Sequence, residues 1–165
     1  MLLVLYIALG YVTVFWVLAR LVVPHFGFTK KSLPSRLPES FSEIIEQINA
    51  ESKDAFEFLK KSYDFITSRY QGSRMKTVTN FWVAFENPLN HKPGFMPCTG
   101  QNYLLRVMLI ESGRFKDSDI ELRVVPLNLC IHQYLRVKVA GKIIDVDPWS
   151  AFLGVPFGKK SAFIG

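Results

Sequence analysis

A tight reversal at Ala140-Gly141 constrains the fold of this 165-residue chain more than any other sequence feature. Alternating, strand-like segments flank it, LCIHQYLRVKV before the reversal and KIIDV after it. The pattern therefore predicts a β-hairpin. A two-residue loop pairs Val139 with Lys142 and Arg136 with Asp145. The segment ELRVV, which precedes the hairpin and is followed by the turn PLN, is predicted to be a further strand.

The hairpin register places an imidazole beside a carboxylate. His132 and Asp147 become diagonal neighbours on one face of the sheet, about 7–8 Å apart at the backbone and within side-chain reach. Asp145 stands opposite Arg136, where a cross-strand ion pair explains its presence. Asp147 instead stands at the strand end beside Pro148, free to accept a hydrogen bond from His132. A lone histidine on a strand is more often structural, so the neighbouring carboxylate is what indicates chemistry.

Cys98 is predicted to lie in the first turn of a helix. The loop 86–97 contains three prolines, and it is followed by a helix over 101–112 that Gly113 ends. A cysteine in such a position faces free amides and the positive end of the helix dipole, which favour the thiolate. A lone cysteine can equally be a small buried hydrophobe. The hypothesis of a nucleophile therefore depends on His132 and Asp147 lying nearby.

The amino terminus begins with a long apolar run. Residues 1–19 carry no charge, and Leu21-Val22-Val23 extends the run past Arg20. At 1.5 Å per residue the run reaches about 30 Å, the thickness of the hydrocarbon core of a bilayer. We therefore expect a transmembrane helix over 1–23. A cleaved signal peptide would need a basic start and a small-residue cleavage site, and a core helix would rarely be apolar on every face.

Composition and charge describe the chain that follows this run. Residues 24–38 contain three prolines and are predicted to be a linker, and 39–165 fit a single domain. The basic residues Lys30, Lys31 and Arg36 favour a cytoplasmic domain on a single-pass membrane protein. With 49% apolar and 21% charged residues, the chain does not have the composition of a disordered protein. Two cysteines are too few for a disulfide scaffold or a four-ligand zinc site.

Local signals predict the remaining elements. Ser40 and Glu43 fit a capping box at a helix start, and the apolar spacing over 54–70 predicts a second helix. The segment 77–85 is expected to form a short strand. The tail, 150–165, shows no clear element, and it is expected either to wrap the sheet edge or to contact a membrane surface.

Three segments together carry a family resemblance: PCTGQNYLLRVMLIESG with Cys98 at the helix start, then ELRVV, then HQYLRVKVAGKIIDVDPW. In the last of these, Asp147-Pro148 follows His132 by fifteen positions. This order resembles the transglutaminase-like superfamily of papain-like cysteine enzymes, over roughly 54–149. The resemblance implies an α+β fold with a papain-like core, in which a helix with an amino-terminal cysteine packs on an antiparallel sheet. Here a transmembrane helix would precede that core.

The resemblance also implies a Cys98–His132–Asp147 catalytic triad that performs acyl chemistry on amides. Cys98 would attack a carboxamide or peptide carbonyl to form a thioester, and His132 would act as base and then as acid. Water as acceptor gives hydrolysis or deamidation, whereas an amine gives acyl transfer. The Cys98 backbone amide is the expected oxyanion donor. Candidates for a second donor are Asn90, His91 and Trp82.

Alternative functions remain open at this point. The same fold could serve as an inactive interaction domain tethered to a membrane. Cys130 lies two residues before His132, so a Cys98–Cys130 disulfide is a redox alternative in an oxidising compartment. The basic residues are scattered and no nucleic-acid-binding motif is present, which argues against nucleic acid as a partner. The expected partners are a protein or peptide substrate and, through residues 1–23, a membrane, with no metal or cofactor.

Overall fold

The computed structural model describes residues 2–18, 29–127 and 130–161, and these form helices, short 3₁₀ turns and a small antiparallel sheet. In chain order the main elements are α1 (Leu2–Val12), α2 (Glu39–Ala50), α3 (Ala55–Arg69), β1 (Tyr70–Gln71), α4 (Arg74–Thr79), β2 (Gly94–Phe95), α5 (Cys98–Glu111), β3 (Ile120–Leu127), β4 (Cys130–Val139) and β5 (Lys142–Val146). Single 3₁₀ turns cover Phe81–Phe85, Pro88–Asn90, Asp117–Asp119 and Trp149–Leu153.

Helix α5 runs through the core, and eleven of its fourteen residues are buried. Its apolar side chains pack between α3 and the sheet. The fully buried members of this core include Phe58, Leu59, Ile66, Leu104, Leu105, Met108, Leu109, Leu135 and Val137. Helices that pack on an antiparallel sheet confirm the predicted α+β class.

The sheet has the strand order β3-β4-β5, with both pairs antiparallel. Val139 pairs with Lys142 and Arg136 pairs with Asp145, which confirms the register predicted for the hairpin. The loop residues Ala140-Gly141 have φ angles of 49° and 76°. A two-residue hairpin turn with positive φ at both positions matches the right-handed twist of its strands, which is why this loop sets the register.

The prediction of a transmembrane helix over 1–23 is wrong for this structure. Within the three described ranges, no helix combines the length and apolarity needed to cross a bilayer. Helix α1 contains 11 residues, which is about 16 Å of rise against about 30 Å of hydrocarbon. Over Thr13–Leu18 the backbone hydrogen bonds follow a π-helical pattern instead of an α-helical one. The rest of the predicted span, from 19 onward, and the first part of the predicted linker lie outside the described residues.

Two local predictions before α5 need correction. The segment 77–85 is not a strand, because α4 and the 3₁₀ turn Phe81–Phe85 occupy it. Ser73 accepts a hydrogen bond from the Lys76 amide and so initiates a helix where the apolar pattern had indicated a strand. Helix α2 begins at Glu39 after Pro38, so Ser40 lies inside the helix and forms no capping box. The predicted helices over 54–70 and 101–112 are confirmed as α3 and α5, and α5 already begins at Cys98.

The described part of the tail, 150–161, returns along the sheet edge, one of the two alternatives expected for it. After β5 the chain makes the 3₁₀ turn Trp149–Leu153. It then returns along the sheet, where Gly158 forms an antiparallel bridge with Asp145. This return brings residue 161 back to the end of β5, beside Asp147.

Candidate active site

The structure brings together His132 of β4 and Asp147, which follows the end of β5. The distance from His132 Nε2 to Asp147 Oδ2 is 2.8 Å, and both side chains are buried. His132 points to the same sheet face as Asp147 because their positions follow the two-residue alternation of a hairpin. The contact is therefore a direct product of the register that the Ala140-Gly141 loop sets.

The Asp147 carboxylate is held by backbone amides as well. The amide of Ser150 donates to Oδ1 at 3.2 Å, and the amide of Ser161 donates to Oδ2 at 3.0 Å. The Ser150 hydroxyl also lies 3.4 Å from His132 Nε2. Both carboxylate oxygens thus accept hydrogen bonds, so the carboxylate has a fixed orientation toward the imidazole.

Cys98 completes the cluster from the start of α5. It is a free thiol, it packs against the buried Trp149 whose ring also contacts His132, and its interaction with His132 raises the pKa of the imidazole. Because Asp147 occupies Nε2, Nδ1 is the imidazole nitrogen that remains for the sulfur. The Trp149 ring packs on His132 with the two centroids 5.0 Å apart and the ring planes tilted by 41°, which helps to cover the buried His132–Asp147 hydrogen bond. The side chain of Cys130 lies outside the described residues. Because Cys98 is a free thiol, the Cys98–Cys130 disulfide considered from the sequence is not formed in this structure.

The electrostatics of the cluster favour a charged imidazole. Burial lowers the pKa of His132, but the hydrogen bonds to Asp147 and Cys98, together with the negative charges of both groups, raise it to about 10. A lone buried histidine would lose its proton, since burial penalises the charged form. Here the two anionic partners outweigh that penalty. The arrangement therefore suits a thiolate–imidazolium pair oriented by a carboxylate.

The start of α5 supplies free backbone donors beside the sulfur. The amides of Gly100 and Gln101 donate to the carbonyl of Pro97, which is the N-cap. The amides of the first helical residues, Cys98 among them, have no acceptor within the helix. They point outward at the positive end of the helix dipole, where they can stabilise an oxyanion formed next to the Cys98 sulfur.

Two buried amide side chains hold this helix start in place. Gln101 donates to the carbonyl of Met96 at 2.9 Å and so anchors the loop that leads into Cys98. Asn102 donates to the backbone carbonyl of Gln133 at 2.7 Å, which joins α5 to β4 one residue beyond His132. Sequence reasoning missed both. The available signal was two adjacent polar residues on a helix that is otherwise buried.

The three candidates for a second oxyanion donor lie on the wall of a cavity at the start of α5 and on the surface, and His91 is the one that lines this cavity. Both ring nitrogens of His91 are engaged, Nδ1 with Glu86 at 2.7 Å and Nε2 with the carbonyl of Phe95 at 2.8 Å. Trp82 is 52% exposed on the surface, and Asn90 is exposed as well. The structure thus offers the backbone amides at the start of α5 as the donors for the oxyanion.

Trp149 and the amide of Ser161 are further members of the site that sequence reasoning did not assign. The aromatic residue directly after Asp147-Pro148 was the available signal for Trp149. Its indole Nε1 is buried without a hydrogen-bond acceptor, so packing on Cys98 and His132 is what holds the ring. No local signal identified Ser161, since its contact with Asp147 depends on the path of the tail.

The cavity at the start of α5 has a volume of about 60 Å³, and none of Cys98, His132 and Asp147 is among its lining residues. Pro97 and Thr99, the residues on either side of Cys98, contribute to its wall together with Met96, Phe85, Tyr103 and Gln133. Cys98 itself is 7% exposed. Within the described ranges, no group of three His, Cys, Asp or Glu side chains is arranged to hold a metal ion.

Comparisons with protein-family models, with curated proteins and with solved structures gave no significant match for this chain. The transglutaminase-like resemblance therefore stays a prediction, and the geometry of the cluster is the observation on which a function can be argued.

Proposed function

We propose that the protein is a cysteine hydrolase or acyltransferase that acts on amide or peptide bonds through Cys98, His132 and Asp147. The observation that carries the proposal is the 2.8 Å hydrogen bond between His132 and Asp147, with Cys98 at the amino terminus of a helix and packed against the Trp149 ring that also covers His132. Nucleophile, base and orienting carboxylate within hydrogen-bond reach are the arrangement that nucleophilic catalysis requires.

The reaction follows from the protonation states. The Cys98 thiolate attacks the carbonyl carbon, a C–S bond forms, and the resulting oxyanion accepts hydrogen bonds from the amides of the helix start. The His132 imidazolium gives its proton to the amide nitrogen, the C–N bond breaks, and an amine or ammonia leaves a thioester. Water or a second amine then loses a proton to His132 and attacks the thioester, which releases the Cys98 thiolate.

A second candidate function is an inactive interaction domain with the same fold. The small exposed fraction of Cys98, 7%, favours it, because a carbonyl carbon must approach the sulfur. The two functions differ in one measurable respect. An enzyme forms a covalent adduct with an amide probe through Cys98, whereas an interaction domain does not.

The test is covalent trapping with a thiol-reactive amide probe, comparing the wild type with Cys98→Ala. We expect one adduct on the wild type and none on the variant. Labelling with iodoacetamide near neutral pH adds a kinetic measure, in which Cys98 is alkylated selectively and Cys130 much more slowly. His132→Gln should slow the alkylation of Cys98 by roughly tenfold or more, since the imidazolium that stabilises the thiolate is lost.

His91→Gln is the matched control. It removes an imidazole on the cavity wall that is also bonded to a carboxylate, at 2.7 Å from Glu86, and whose second nitrogen contacts the carbonyl of Phe95. Its alkylation rate should equal that of the wild type. Equally slow labelling of both cysteines, with no effect of His132→Gln, would show that Cys98 is not an activated nucleophile.

A further inference from the structure

A ridge of exposed apolar side chains lies on α4 and the 3₁₀ turn that follows it. Its members are Met75, Val78, Phe81, Trp82 and Phe85, with exposed fractions of 74%, 62%, 61%, 52% and 45%. Folded domains rarely expose large apolar side chains in one contiguous patch unless the patch binds something. We call these residues the apolar ridge.

The aromatic side chains of the apolar ridge are exposed to solvent, although Phe85 also lines the cavity at the start of α5. The rings of Phe81 and Trp82 contact each other edge to face, with centroids 5.7 Å apart, while each remains more than half exposed. A groove would enclose a partner's side chain, whereas protruding rings insert into a partner that deforms around them. A lipid bilayer is such a partner, and tryptophan and phenylalanine favour its interface.

The charged residues within the ridge segment are basic, and the acidic residue that follows it, Glu86, is hydrogen-bonded to His91. From 65 to 85 the sequence contains Arg69, Arg74 and Lys76 and no acidic residue. All three basic side chains are exposed. Two of them flank Met75 on α4. Exposed aromatic residues together with cations complement the surface of a bilayer with anionic headgroups. The aromatic rings can enter the apolar region, and the cations can contact the headgroups.

The chain near the amino terminus passes the base of the ridge. Lys31 lines the same cavity as Val83 and Phe85, and its ammonium lies 5.0 Å from the centre of the Tyr103 ring. A further cation therefore lies on this side of the molecule. A second copy of the chain is a poorer partner, because a symmetric contact would place the cations of the two ridges against each other.

We propose that the apolar ridge docks on the surface of an anionic phospholipid membrane, with Phe81 and Trp82 inserted at the headgroup level. The proposal concerns the ridge alone and stands independently of the triad. Its occupant is the bilayer surface, and the basic residues around the ridge contact the headgroups. In this orientation the ridge would hold the cavity at the start of α5 close to the membrane.

The test follows the fluorescence of Trp82 in the full-length chain. The signal of Trp82 is obtained as the difference between the wild type and Trp82→Phe, which removes the contribution of Trp149 and the remaining tryptophan. Vesicles of phosphatidylcholine with phosphatidylserine are prepared with and without brominated acyl chains, which quench indoles in contact with lipid. We expect Trp82 emission to shift to shorter wavelength and to be quenched by the brominated lipid. Because the difference spectrum contains only the emission of Trp82, it reports the environment of the ridge even if α1 also contacts lipid.

Charge reversal supplies the matched comparison. Lys76→Glu should raise the anionic lipid needed for half-maximal quenching at least about fivefold, since each basic residue near such a surface contributes about 1 kcal/mol. Lys138→Glu, an equally exposed position on β4, should leave the titration unchanged. The wild-type rate of Cys98 alkylation in both variants would verify that the fold is intact.

Three results would overturn the proposal. The first is a Trp82 signal that vesicles do not alter, and the second is quenching that is the same in Lys76→Glu and the wild type. The third is a Trp82 shift that appears without lipid, either as protein concentration rises or when an acidic polypeptide is added. That result would assign the ridge to a second copy or to a protein partner.

Discussion

Replacing Asp147 by asparagine tests the candidate site most directly. The carboxylate accepts three hydrogen bonds, from His132 Nε2 and from the amides of Ser150 and Ser161. An asparagine side chain has only one oxygen, so at least one of these buried donors would face an NH₂ group. An unsatisfied buried donor costs about 1–3 kcal/mol, and a buried charge pair that loses one partner costs about 3–5 kcal/mol. We therefore expect the free energy of unfolding to fall by about 3 kcal/mol.

The same change should lower the pKa of His132. In the folded wild type that pKa is raised from 6.5 to about 10, so the stability that His132 contributes is fully present below about pH 6.5. This contribution is lost as the pH rises through about 10. At pH 8 His132 is about 99% protonated, against about 3% for an unperturbed imidazole. Asp147→Asn removes a hydrogen bond and a negative charge that both raise the pKa of His132, whereas burial continues to lower that pKa. The imidazole of the variant should therefore lose its proton at a lower pH than in the wild type.

Two assays measure these effects. Urea unfolding gives the change in stability, and the ¹⁵N chemical shifts of the imidazole followed against pH give the protonation of His132 directly. The imidazole signal is preferable to unfolding for the pKa because it reports His132 alone, whereas the stability sums over every titrating group. The alkylation rate of Cys98 near neutral pH should fall together with the loss of imidazolium.

Asp145→Asn is the control for this prediction. Asp145 lies two residues earlier on β5 and pairs with Arg136 at 2.9 Å and with Lys160 at 3.7 Å, but its side chain is 21% exposed. A partly exposed pair is worth at most about 1 kcal/mol, so stability should change little and His132 should titrate as in the wild type. Equal losses of stability in Asp145→Asn and Asp147→Asn, with the same His132 titration, would refute the reasoning.

Three further predictions concern the supports of the site. A Cβ at Gly72 would lie 2.3 Å from the carbonyl oxygen of Trp149, so Gly72→Ala should destabilise by about 1–3 kcal/mol; an unchanged urea midpoint would contradict this. Asn102→Leu removes the side-chain donor to the buried carbonyl of Gln133, so the free energy of unfolding should fall by about 1–3 kcal/mol. The alkylation of Cys98 should also become slower. A loss of stability with an unchanged alkylation rate would limit Asn102 to a structural role. Trp149→Phe keeps an aromatic ring on His132 and removes an unpartnered N–H, so the free energy of unfolding should fall by less than about 1.5 kcal/mol. Trp149→Ala should lower it by about 3–5 kcal/mol. Equal losses of stability in the two variants would argue against the packing role of the ring.

The apolar segments before α5 show where sequence patterns fail. The run over 77–85 has strand-like residues, yet the Ser73 cap and the absence of a neighbouring strand among the described elements make it helical and 3₁₀. The run over 1–19 is apolar enough for a bilayer, but its α-helix ends at Val12. In both cases the composition indicates only that the segment is apolar, whereas backbone hydrogen bonding decides whether it forms an α-helix, a 3₁₀ turn or a strand.

Local sequence rules determined the hairpin and the relative positions of the side chains on its two strands. A two-residue turn with positive φ and the two-residue alternation of strands are short-range properties. They were therefore sufficient to predict the pairing of Arg136 with Asp145 and the approach of His132 to Asp147. The helix start at Cys98 followed in the same way from the proline-rich loop before it.

Only the tertiary structure decided how Cys98 reaches His132 and what encloses the pair. That meeting depends on α5 packing across the sheet, where Asn102 bonds to β4, and on the tail returning so that the amide of Ser161 reaches Asp147. Contacts between residues far apart in the chain are selected by the packing of the whole core, and no local pattern encodes them. The sequence alone therefore determined which chemical groups are available, and packing determined that they share one site.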